Sequence, residues 1–110
     1  MNEEQSIAQR ACGDVAPALA DFTDRLLFGE VWERPSLSKR LCSLVTMAAL
    51  AAGYRQNELP GHFRRALDNG VTREELVELV THLAFNAGWP AANTAVRVLR
   101  TVFGELDQSS

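Results

Sequence analysis

The sequence has little cysteine, no long apolar run, no excess of basic charge and no alternating apolar pattern, and each shortage closes off a class of protein. Only two cysteines, Cys12 and Cys42, occur among 110 residues. They stand thirty positions apart, which is neither a CxxC nor a metal-ligand spacing. They read as reduced thiols, with no metal and no cofactor expected, and point to a cytoplasmic protein. The longest apolar run, Leu44 to Ala52, is interrupted by Thr46 and falls far short of the roughly 20 residues needed to cross a bilayer. No membrane partner is therefore expected. The start, MNEEQSIAQR, is polar and acidic, unlike a signal peptide. With 11 Lys and Arg against 14 Asp and Glu, the net charge is −3. Arginines scattered among acids do not make the basic face that a nucleic-acid partner requires. Arg64-Arg65 is the one tight basic pair, and it reads as a solvated helix face.

What is present is helical. Apolar residues make up 46% and charged residues 23%, ordinary globular usage for a chain with one modest core. The chain reads as all-α, with a flexible segment over 1–12, a single domain over 13–106 and a tail over 107–110. Ile7, Ala8 and Ala11 allow one docking turn. Val15, Leu19, Phe22 and Leu26 recur at helical spacing, which predicts an amphipathic helix from about Asp14, its N-cap, to Phe28. Gly29 to Ser36 has no usable period, and Pro35 disfavours helix at Arg34. Trp32 stands in this polar connection between Glu30, Glu33 and Arg34. It either plugs the end of the core or packs over a pocket or another subunit.

Lys39 to Ala52 is apolar almost all round, so it is expected to be a central helix covered on several sides and ended by Gly53. A helix from about Gly61 to Asn69 follows, closed by Gly70 in the left-handed conformation. Thr72 and Glu75 have capping-box spacing, which starts a helix over Arg73 to Ala87. Gly88-Trp89-Pro90 stops it and starts the last, to about Glu105. One wide stripe, from Leu76 and Val77 to Ala87, is expected to be buried. Thr81, Phe85, Glu78, His82 and Asn86 lie opposite, where an outward Phe beside an outward His suggests a subunit contact.

FGEVWERPSL, SLVTMAALAA, ELPGHFRRALDNGVTREELVEL and HLAFNAGWPAANTA, in this order, resemble the carboxymuconolactone decarboxylase family, whose relatives include the AhpD-like alkylhydroperoxidases. The resemblance covers about Asp14 to Phe103. It implies a compact AhpD-like bundle of about five to six helices and a homo-oligomer, trimer or hexamer, acting on a small molecule. His62 matches the family's L-P-x-H histidine, Glu30 and Trp32 its G-E-V-W loop, and Trp89 and Pro90 its A-G-W-P turn. Two departures matter. The redox relatives carry CxxC just ahead of this histidine, where this chain has Arg55 and Glu58, so dithiol chemistry is not available there. Decarboxylase-like members read R-S-L-V-T where this chain reads Cys42-Ser43-Leu44-Val45-Thr46, so an arginine that could hold a carboxylate is missing.

A cofactor-independent decarboxylase must hold a carboxylate, stabilise the developing enolate and deliver a proton. The resemblance makes His62 the general acid, with Glu58 four positions earlier to orient it. Arg40, Arg34 or Arg55 would replace the missing arginine, and Glu30, Trp32, Cys42 and Trp89 complete the expected substrate-binding set. His82, with Glu78 at i−4, reads as an interface residue. Two further readings stand beside this one. The first is a peroxidase-type antioxidant using Cys42 alone or with Cys12. The second is a non-catalytic oligomeric module that binds a ligand.

Overall fold

The computed structural model describes residues 5–109, all α- or π-helix and connecting turns. They divide into two compact units, one up to Ser38 and the other from Lys39 onward. No helix among the described residues is long and apolar enough to cross a membrane.

The N-terminal unit departs from its expected single helix. A short α1, Ile7–Cys12, is capped by Ser6, whose hydroxyl accepts from the Gln9 amide and donates to the Asp24 carboxylate at 2.6 Å. Helix therefore begins inside the segment expected to fray. Asp14 is not the cap of the next helix, because α2 is Pro17–Phe22 with Ala16 at the N-cap. Pro17 sets this boundary: its ring is tolerated in the first turn but clashes with the carbonyl four residues back in a helix interior. From Thr23 the backbone widens into a π-helix, Thr23–Val31, so the expected loop begins later than Gly29. At its end the Trp32 amide donates to the Leu27 carbonyl at 2.9 Å, five residues back. The break at Ala16 and the change of helical pitch at Thr23 destroy the 3.6-residue register on which the expected buried stripe depended. Val15 is 84% exposed, and Leu19, Phe22 and Leu26 are exposed as well.

The C-terminal unit follows its sequence signals closely. It contains α3 (Lys39–Ala52), α4 (Leu59–Asp68), α5 (Arg73–Ala87) and α6 (Trp89–Ser109). Two of its turns are Schellman motifs, in which the two residues past the helix end satisfy orphan carbonyls. After α4, Gly70 takes φ 97°, its amide bonds the Leu67 carbonyl, and the Val71 amide bonds that of Ala66. After α3 the same pattern uses Tyr54 and Arg55, with bonds to Ala51 and Leu50. Gly53 is the first residue past the helix, as expected, and the left-handed residue is the next one, Tyr54, at φ 58°. The Thr72–Glu75 capping box is complete in both directions. Gly88, at φ 97° and ψ 156°, occupies a region open essentially to glycine alone, which lets α6 begin one residue after α5 ends.

The core of this unit gathers Met47, Leu59, Phe63, Ala66, Leu76, Val80, Ala95, Leu99 and Val102 from all four helices. Each large side chain so buried contributes about 1.5–3 kcal/mol. Ser43, the one buried polar side chain among the described residues, accepts from Asn69 Nδ2 at 3.0 Å, joining α3 to the end of α4. Two expectations fail here. The α3 helix is not covered all round: it buries Ser43, Met47 and Ala51 while Val45 is 62% exposed. Val77 is likewise exposed rather than part of the α5 core stripe.

Candidate functional site

The first turn of α4 presents His62. Glu58 is the N-cap of α4 but makes no side-chain capping bond, and its carbonyl accepts the His62 amide at 3.2 Å. His62 is half-buried, while Phe63 beside it is fully enclosed and fixes the orientation of the helix. Burial lowers the proton affinity of the imidazole below its ordinary value, and the Arg65 guanidinium lowers it further. The Glu58 carboxylate acts in the opposite direction and more weakly. No side-chain hydrogen bond joins Glu58 to His62 among the described residues, so its influence is through space.

The influence of Arg65 on His62 was not anticipated from the sequence. Arg65 was grouped with Arg64 as solvated surface, yet it stands three positions after His62, a spacing that puts two side chains on one helical face. Arg64 does fit the surface reading, since it pairs with Glu105 of α6. The i, i+3 relation between His62 and Arg65 was the available signal.

Of the substitutes for the missing arginine, Arg40 forms an ion pair with Glu75. The second oxygen of Glu75 caps the Thr72 amide at 3.0 Å, so one carboxylate serves both α5 and α3. Cys42 is a half-buried free thiol on α3. Arg55 follows left-handed Tyr54, and its side chain runs back past Gly53.

In the N-terminal unit, Glu30 and Arg34 are brought together. With Leu26, Gly29, Val31 and Glu33 they line a surface cleft of about 460 Å³ at the end of the π-helix. Such widened turns occur disproportionately at functional positions. Trp32 does not line this cleft; it is buried and tilted against Phe28, with ring centroids 5.7 Å apart.

Trp89 and His82 lie on the outside of the α5–α6 hairpin. Trp89 is 56% exposed and stands edge-on to Phe85 at 5.0 Å, with Phe85 itself 76% exposed. His82 is exposed, and its carbonyl accepts from Asn86. Among the described residues no three of His, Cys, Asp or Glu converge as a metal-ligand set would.

The sequence pattern of the carboxymuconolactone decarboxylase family matches residues 17–101. The 4-carboxymuconolactone decarboxylase of Acinetobacter baylyi is 45% identical over 86 residues, 78% of this chain and 64% of that protein. The nitrosuccinic acid decarboxylase of Metarhizium robertsii is 34% identical over 79 residues, 72% of this chain and 55% of that protein. An uncharacterised 15.0 kDa protein of Paracoccus denitrificans is 25% identical over 101 residues, covering 90% of this chain and 75% of its own length. The chain thus spans under two thirds of each named decarboxylase.

Proposed function

Because the chain belongs to the carboxymuconolactone decarboxylase family, we propose that it is a cofactor-independent carboxy-lyase acting on a small organic acid or lactone acid, with His62 moving the proton. Decarboxylation is what the names of two of its relatives have in common. The observation that carries the reading is a half-buried imidazole whose proton affinity is lowered by burial and by Arg65 on the same helix face.

Arg65 anchors the anionic substrate. The substrate's negative charge offsets that of the guanidinium, so the imidazole, mostly neutral in the free protein, gains a proton as the acid binds. The carbon–carbon bond to the carboxylate then breaks and CO₂ leaves. Its electron pair moves onto a conjugated carbonyl, where the Arg65 charge stabilises the enolate oxygen. His62 protonates the enolate carbon and regains its proton from water. Glu58, weakly favouring the charged imidazole, keeps the proton available.

The test is CO₂ release from a panel of lactone acids and nitro-substituted acids, comparing wild type with His62→Ala. A proton-transfer role accounts for about 10²–10⁴-fold in rate. Equal turnover by the two proteins would remove His62 from the mechanism.

A further inference from the structure

Apart from the His62 region, the α5–α6 hairpin holds a groove of about 450 Å³, a size within the range of small-molecule sites. Buried Val80 and Leu99 form its floor, while exposed Val77 of α5 and Val96 of α6 stand at its rims. Phe103 walls one end, its ring covered by the Arg73 guanidinium at 4.9 Å. No residue of α4, the helix of His62, lines this groove. Beside Phe103, Gly104 leaves α6 bare: a Cβ there would meet no atom within 4 Å. The groove is therefore apolar below, open above and widened at the Phe103 end.

The polar side chains of the groove differ in what they can still offer. Thr81 spends its hydroxyl proton on the Val77 carbonyl at 2.8 Å. Asp107 is paired with Arg73 at 2.9 Å, which offsets its charge. Arg100 has no ion-pair partner among the described residues, so the groove keeps one uncompensated positive charge. A long helical side chain leans back over the preceding turn, which sets the Arg100 guanidinium toward Thr81 and Val96 and away from Asp107. Positive charge thus lies at one end and carboxylate oxygens at the other, with an apolar floor between.

We propose that this groove is a binding site for a small aromatic monocarboxylate, separate from the His62 site, with the carboxylate on Arg100 and the ring over Leu99 toward Phe103 and Gly104. A guanidinium presents parallel N–H donors that match a planar carboxylate. Asp107 at the far end repels a second negative charge, which disfavours dicarboxylates and phosphates. A neutral hydrocarbon leaves the Arg100 charge unanswered. The Phe103 ring gives an aromatic body an edge or face to pack on, and the bare surface at Gly104 gives it room. From the turn before Arg100 to Gly104 is about 10 Å along α6 at 1.5 Å per residue, the length of one ring with a short acid chain.

Hydrocinnamate is a suitable probe, because its saturated chain has no conjugated carbonyl to take up electrons and it is no substrate for the proposed decarboxylation. Titrated into isotope-labelled protein and followed by amide NMR, it should shift Thr81, Arg100 and Gly104, with a dissociation constant on the order of 1 mM for a ligand of its size. The neutral amide, hydrocinnamamide, should bind about tenfold more weakly, and Arg100→Gln should bring the acid down to the level of the amide. Gly104→Leu, which fills the bare surface without meeting another residue, should abolish the shifts at Thr81 and Arg100 while the rest of the spectrum stays as in wild type. The proposal is overturned if the acid shifts none of the three amides, if acid and amide bind wild type equally, or if either variant binds the acid as wild type does. Shifts confined to the first turn of α4 would overturn it as well, by putting the acid at His62.

Discussion

The two units of this chain use apolar residues in opposite ways. From Lys39 onward, four helices with satisfied ends bury Phe63, Met47, Leu76 and Val102 almost completely. Up to Ser38, two six-residue helices and a π-helix leave Val15, Leu19, Phe22 and Leu26 exposed. Apolar periodicity is similar in both, so periodicity alone does not decide burial. What differs is whether the local backbone signals agree with it. In the second unit glycines, caps and turns fall where the apolar register needs them; in the first, Pro17 and the π-helix shift the register partway along the stripe.

Truncation of equivalent side chains should expose this contrast most strongly. Phe63→Ala is expected to lose about 3–5 kcal/mol in denaturant unfolding, because a large cavity opens in a close-packed core. Phe22→Ala, at an exposed position of α2, should stay within about 0.5 kcal/mol. Similar losses from both would show that the first unit is as tightly packed as the second.

Backbone conformation gives the next effect in size. Gly88→Ala forces a side chain into a glycine-only region and should cost about 1–3 kcal/mol by thermal unfolding. Tyr54→Gly is the reverse change. It should gain about 0.5–1 kcal/mol, since relief of left-handed strain exceeds the entropy that glycine adds to the unfolded chain. A loss of activity accompanying that gain would tie the strained tyrosine to function.

Caps come third. Thr72→Ala removes a reciprocal capping box and should lower stability by about 1 kcal/mol. Ser6→Ala removes the cap of a six-residue helix together with the bond to the Asp24 carboxylate and should cost a comparable amount, as measured by the same melting experiment.

How much of this was legible in the sequence follows the same division. Thr72 with Glu75, Gly70 and Gly88-Trp89-Pro90 each named a boundary that the fold keeps, because each acts through its own backbone. Tyr54 could not be read that way, since no rule marks a bulky residue as the left-handed member of a Schellman turn. The π-helix after Thr23 has no local signature either. His62 was recognisable only through its motif. Its modulation by Arg65 depends on how two side chains are placed on one turn of α4, which residue type alone does not specify.

Electrostatics at His62 gives the smallest effect on stability. Its folded proton affinity lies below the unfolded value, so the unfolded state binds more protons and stability falls as pH drops below about 6.5. His62→Gln should flatten that part of the curve.

The same imidazole provides the most direct test of the proposed chemistry. The chain has only two histidines, so His82→Gln leaves a single imidazole resonance to follow by NMR across pH, with and without a lactone acid. The expected result is a titration below the ordinary histidine range in the free protein that moves upward when the acid binds. A titration unchanged by the acid would contradict proton uptake by His62.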